Sequence, residues 1–139
     1  MARSRLDIQV YLAAECDEQW SFVGSKANKR WLWYILEKST RKVLAFVFGK
    51  RDNATFKKLI HLLPPKLIDR LDTDEWKSYK SIRFTPIHNI GKDRTWRIER
   101  KNLDLRTRLK RLARRTICFS KSKYLHDAVI GRFINLYLF

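Results

Sequence analysis

"KRWLWYILEKSTRKVLAFVFGK", Lys29–Lys50, carries two apolar runs, Trp31 to Leu36 and Val43 to Phe48, on either side of the polar "EKSTRK". Short runs rich in aromatic and β-branched residues, split by a polar turn, predict a β-hairpin. Neither run has a polar alternate, so both strands are expected to be covered on both faces. Upstream, residues 6 to 23 read as an extended entry segment and a strand. Glu15, Asp17, Gln19 and Ser21 fall on one side of it. Ala14, Cys16, Trp20 and Phe22 fall on the other, with Glu18 as the exception.

Downstream, "NATFKKLIHLL" predicts a helix with Asn53 as N-cap and the Pro64–Pro65 pair as its stop. "KLIDRLDTD" predicts a short strand, in which Asp69 and Arg70 need a partner or an exposed position. "EWKSYKS" reads as a turn or short helix, and "SIRFTPIHNI" as an edge strand interrupted by Pro86. A long helix is expected from about Arg94 to Arg115. The apolar "SKYLHDAVIGRFINLYLF" should form a last helix that packs back on the domain. Three strands, a helix, a strand and then helices give an α/β fold around a mixed sheet.

The 139 residues suit one domain with a sizeable core, and 45% of them are hydrophobic. The net charge is +17, and residues 92 to 124 alone hold 13 Lys/Arg against 3 Asp/Glu. Such a bias points to a polyanion, nucleic acid before membrane, and to a binding face. No apolar run reaches the length of a membrane span, and the start lacks the apolar core of a signal peptide. Cys16 and Cys118 form no CxxC pair, so they read as buried thiols in a reducing cytoplasm. His61, His88 and His126 have no metal-site spacing. Trp20, Trp31, Trp33 and Trp96 read as core, while Trp76, near Asp74, is the better candidate of the five for touching nucleic acid. There is no Gly-rich phosphate loop.

At 100° per residue the long helix has three stripes. Ile98, Leu105, Leu109 and Leu112 face the core, and Arg97, Lys101, Arg108, Arg111 and Arg115 lie roughly a right angle away. Glu99, Asn102 and Arg106 share the opposite flank of the apolar stripe. Asp17 on a central strand, Asp74 after a later strand and Glu99 on the helix are three remote carboxylates that can build a divalent-metal site. Glu15, Glu18, Asp69, Asp72 and Glu75 are rivals for the same role.

The segments "CDEQWSFVGSKANKRWLWY", "KVLAFVFG", "ATFKKL", "TDEWKSY", "RIERKNLDLRTRLKRLARRTICFSKS" and "LHDAVIGRFIN" occur in order over about nine-tenths of the chain. Together they resemble the catalytic, second-reading-frame part of a DDE transposase of the insertion-sequence-one family. The resemblance implies a single RNase H-like catalytic domain over residues 1–139, with residues 1 to about 13 a variable extension. It implies a triad of Asp17, Asp74 and Glu99 that holds two Mg²⁺ ions, for which Mn²⁺ can substitute. It also implies DNA contacts from Lys101, Asn102, Arg106, Arg108, Lys110, Arg111 and Arg115. The implied activity is metal-dependent DNA cleavage and strand transfer in a cytoplasmic, nucleoid-associated bacterial protein. Expected partners are element-end and target DNA, further copies of the chain in the transposition complex, and an upstream-frame region. The family's zinc-ribbon and helix-turn-helix segment is missing from this sequence. The alternatives are an inactive relic, a non-enzymatic basic nucleic-acid-binding protein and a stand-alone RNase H-like nuclease.

Overall fold

The computed structural model describes residues 12–64, 67–74, 87–91, 95–109 and 123–137. The first three strands are β1 (Leu12–Val23), β2 (Ser25–Glu37) and β3 (Val43–Gly49). They form an antiparallel meander, and the Lys29–Lys50 hairpin is its second half. Gly24, at φ 80°, makes the tight β1–β2 connection that a side chain would strain. Helix α1 (Asn53–His61) leads to β4 (Ile68–Thr73), which pairs with β1 in parallel. The edge strand β5 (Ile87–Ile90) pairs with β4 in parallel, and residues 81–86 of the expected edge strand lie outside the described residues. Two helices follow, α2 (Trp96–Arg108) and α3 (Lys123–Tyr137). The strand order β3-β2-β1-β4-β5 puts β1 at the centre of a mixed five-stranded sheet. A meander extended by parallel strands and flanked by helices is the RNase H-like architecture expected from the sequence.

The two apolar runs of the hairpin are buried on both faces, for a reason visible in β2. Leu32, Tyr34 and Leu36 point one way, into a core with Ile98, Leu105 and Leu109 from the α2 segment and Ile130 and Ile134 from α3. Trp33 and Ile35 point the other way, where Phe56 and Leu59 of α1 close a second core with Ala14, Cys16 and Leu71. Trp33 stacks on Phe56 with ring centroids 5.7 Å apart. Cys16 is buried, as expected; Cys118 lies outside the described residues.

Three expectations need correction. The N-cap of α1 is Asp52, not Asn53. Asp52 is extended, and its carboxylate accepts from both Thr55 N (2.9 Å) and Thr55 Oγ1 (2.7 Å), two bonds that a cap one residue later would forgo. Helix α2 ends at Arg108 rather than Arg115, because Leu109 turns extended while keeping its side chain in the core. Only Trp33 of the four tryptophans is fully buried. Trp20 and Trp31 are half-buried, each beneath a cation, and Trp96 is 42% exposed. Arg70 on β4 meets its predicted requirement by reaching solvent beside Asp72. Asp72 itself is buried and held by Lys38 and by Asn89 Nδ2 at 3.0 Å. The "EWKSYKS" segment, Trp76 and Leu112 lie outside the described residues.

Candidate functional site

The polar side of β1 faces α2 and α3, not water. Glu15, Asp17, Gln19 and Ser21 sit at every second position, so all four point into that helix layer. Glu15, fully buried, accepts from Arg97 N–H at 3.2 Å. It thus takes one of the free N–H groups at the start of α2, where Thr95 makes no side-chain cap. Burial raises its pKa, and the Arg97 guanidinium, 3.7 Å from Oε2, opposes that rise. One step along, Asp17 Oδ2 accepts from Asn102 Nδ2 at 2.9 Å. A further step along, Gln19 Oε1 accepts from Arg106 Nε at 3.0 Å. Ser21 Oγ bonds His126 Nε2 of α3 at 2.7 Å, and an Arg30–Asp127 ion pair (2.6 Å) seats the same turn. His126 thus has a packing role, and it also meets Phe48 edge-on.

Asn102 is the hub of this layer. Its Oδ1 accepts from Gln19 Nε2 (3.1 Å) and from Tyr34 OH (2.6 Å), which frees Nδ2 for Asp17. Ile98 O lies 3.1 Å from the same hydroxyl and is a second acceptor for its one proton. Burial, and after it the negative charge of Asp17, pushes the Tyr34 phenol well above its ordinary pKa, so it is a fixed donor.

Asp17, Glu18 and Asp74 each offer a carboxylate oxygen, and these oxygens lie within 4.8 Å of one another. Burial first, then the charges of Glu18 and Asp74, holds the Asp17 carboxyl well above the usual carboxylate range. Its two donors, Asn102 Nδ2 and the Glu18 N–H at 2.9 Å, are both neutral. Glu18 is neutralised by Arg51, at 2.9 Å. Three hard oxygen donors that destabilise one another suit a small divalent cation.

The structure therefore brings Asp17 and Asp74 together from β1 and the end of β4. Glu99 is exposed on α2, one turn before Asn102 on the same flank, and its carboxylate is outside the 4.8 Å group. Arg106 is half-buried on that flank as well. Lys101 and Arg108 occupy the far flank, where Arg108 pairs with Asp104 at 3.2 Å. Lys110, Arg111 and Arg115 lie outside the described residues. Sequence reasoning placed Glu18 only among the rivals, although its break in the β1 alternation was a signal. It missed Gln19 and Tyr34, whose roles depend on what covers the strand.

The chain is thus an RNase H-like domain with carboxylates clustered on its central strand and at the tip of the neighbouring one, a donor set suited to a divalent cation. A sequence profile of IS1 transposases matches residues 10–139. The chain belongs to that family. It is 52% identical to the Shigella dysenteriae insertion element iso-IS1n protein InsB over 128 residues, covering 92% of this chain and 98% of the relative. It is 46% identical to the Escherichia coli insertion element IS1 protein InsB over 127 residues, covering 91% of this chain and 76% of the relative. Family membership makes DNA the partner. Among the described residues, no helix is long and apolar enough to cross a membrane.

Proposed function

We propose that this chain cuts and joins DNA strands during transposition, with Asp17, Asp74 and Glu99 as the metal-holding triad. The reaction has two parts: water hydrolyses a phosphodiester at the element end, and the freed 3′-hydroxyl then attacks a phosphate of target DNA, breaking that phosphate's bond to the target 3′-oxygen, which leaves as a hydroxyl. The observation that carries this reading is the convergence of Asp17 and Asp74 beside the helix flank that bears Glu99, Asn102 and Arg106. Two Mg²⁺ ions, or Mn²⁺ in their place, would be held by those carboxylates and would supply Lewis-acid activation of the attacking and leaving oxygens. Asn102 fixes the orientation of the Asp17 carboxylate. Arg106, tethered to Gln19, presents positive charge where a phosphate would lie. Glu18 lies in the same carboxylate group, with its charge balanced by Arg51. Recognition of the element ends falls to the upstream-frame region, and synapsis of two ends calls for more than one copy of the chain.

The test is an assay with labelled element-end duplex, Mg²⁺ or Mn²⁺, and the chain joined to the upstream-frame region. Asp17→Asn, Asp74→Asn and Glu99→Gln should each remove nicked and strand-transfer products while DNA retention on a filter stays normal. A variant that keeps full activity excludes that residue from the triad. Retention without products in the unaltered protein identifies a relic that only binds DNA. Cleavage confined to an RNA–DNA hybrid identifies a nuclease instead.

A further inference from the structure

Helix α2 has a second, cationic flank. Arg100, Lys101, Asp104 and Thr107 turn away from β1 and, with Arg97, whose guanidinium also lies 3.7 Å from Glu15 of β1, line an open pocket of about 380 Å³. Arg41, from the turn between β2 and β3, closes its other side. Four cations thus surround one cavity whose single lining carboxylate, Asp104, is engaged by Arg108 at 3.2 Å. Like charges in a shared cavity repel, so the arrangement needs a cause.

Two observations supply it. The exposed Trp96 ring holds both the Arg41 guanidinium, 4.8 Å from its centroid, and that of Arg97, at 4.3 Å. One aromatic side chain thereby keeps two repelling cations in place through its ring quadrupole. Arg41 also sits at φ 62°, the only non-glycine residue with positive φ among the described residues. A side chain rarely adopts that conformation without compensation, and strain of this kind gathers at binding sites. Burial, then the nearby Arg108 and Arg41 guanidiniums, lowers the Lys101 pKa against the opposing pull of Asp104; a bound anion would relieve that pressure.

We infer that this pocket grips a backbone phosphate of duplex DNA, on the side of α2 opposite Asn102 and Arg106. The inference rests on the DNA-acting reading of the chain, not on the identity of the triad. A phosphate and its sugar fit the cavity, and forked guanidiniums match phosphate oxygens. Helix α2 then separates two DNA-contacting flanks by its own diameter, about 10 Å.

The experiment measures duplex affinity of the full chain across a range of salt concentrations. Arg41→Gln combined with Arg100→Gln is compared with Lys57→Gln combined with Lys58→Gln on α1, which removes equal charge from the other layer. The pocket pair should weaken binding about tenfold or more at low salt and flatten the log–log salt slope by about 1.8, two phosphate contacts' worth. The α1 pair should leave the slope near that of the unaltered protein. Arg41→Gly removes the cation and the backbone strain together, so it should lower affinity without lowering the thermal midpoint. Equal effects from the two pairs, or normal affinity in Arg41→Gly, overturns the pocket. Asp17→Asn should keep normal affinity. Loss of strand products in that variant alone concerns the triad, and loss of affinity in the pocket pair alone concerns the grip.

Discussion

Replacing Asn102 by alanine should destabilise the domain far more than its modest size suggests. The side chain is 5% exposed and makes three bonds: to Asp17 Oδ2 (2.9 Å), from Gln19 Nε2 (3.1 Å) and from Tyr34 OH (2.6 Å). Each such bond contributes about 1 kcal/mol net, and a buried group left without a partner costs about 1 to 3 kcal/mol. The loss is uneven. Tyr34 keeps Ile98 O and Asp17 keeps the Glu18 N–H, but the Gln19 amide N–H₂ loses its bond to Oδ1. A total of about 2 to 3 kcal/mol follows, with the first two losses near their minimum. With a urea slope of about 2 kcal/mol/M, the unfolding midpoint should fall by about 1 to 1.5 M. The assay is urea unfolding followed by far-UV circular dichroism. Tyr34→Phe belongs in the same series, because Tyr34 and Asn102 share a bond and should couple by about 0.5 kcal/mol or more in a double-mutant cycle. A shift under about 0.25 M for Asn102→Ala, or simple additivity with Tyr34→Phe, refutes the hub.

The remaining predictions concern a cap, a close approach, a core ring and a cation. Asp52→Ala should cost about 1 kcal/mol of stability, while Asp52→Asn, which still caps, should cost little. The Thr55 hydroxyl and N–H lower the Asp52 pKa from its usual 3.8, so the carboxylate's contribution is present above that value. It is lost as the pH falls through the lower folded value, and an acid titration of the stability gap to Asp52→Ala should show it closing there. Gly49→Ala should cost about 1 to 3 kcal/mol in chemical denaturation, because an added Cβ would stand 2.8 Å from Thr55 Cγ2 and Oγ1. Phe56→Ala, which empties the space against Trp33, should cost about 3 to 5 kcal/mol in the same assay. Millimolar Mg²⁺ or Mn²⁺ should raise the thermal midpoint, and Asp17→Asn should abolish that rise without lowering the midpoint in chelator.

The sheet was legible because its signals are local. The runs of β2 and β3 lack polar alternates, and the structure covers them on both faces. The alternation of β1 correctly sorted Glu15, Asp17, Gln19 and Ser21 to one face. Alternation assigns a face but not its cover, so the pairing of Gln19 with Asn102 and Arg106 had no sequence signature: it joins residues 83 and 87 positions apart. Trp96 was misread on composition alone, since large aromatics are usually core. Its helical angle, about 180° from the Ile98 and Leu105 stripe, already pointed outward. The periodicity of α2 ran on past Arg108 in sequence, but an apolar residue can stay in the core after the backbone leaves the helix, as Leu109 does. Asp17 and Asp74 as neighbours came from the family resemblance, and the nearness of Glu18 came from the fold.

The three tethers between β1 and α2 have matching pitches. From Glu15 to Gln19 the strand advances four residues, about 13 Å. From Arg97 to Arg106 the helix climbs nine residues, about 13.5 Å. The two elements therefore mesh like rack and pinion, tooth for tooth at Arg97, Asn102 and Arg106. A slip of one helical turn would unmesh every tooth at once, which leaves no half-engaged setting for the helix to rest in. Inserting a single residue between Asn102 and Arg106 would throw the upper tooth about 100° out of line while the lower two stayed engaged.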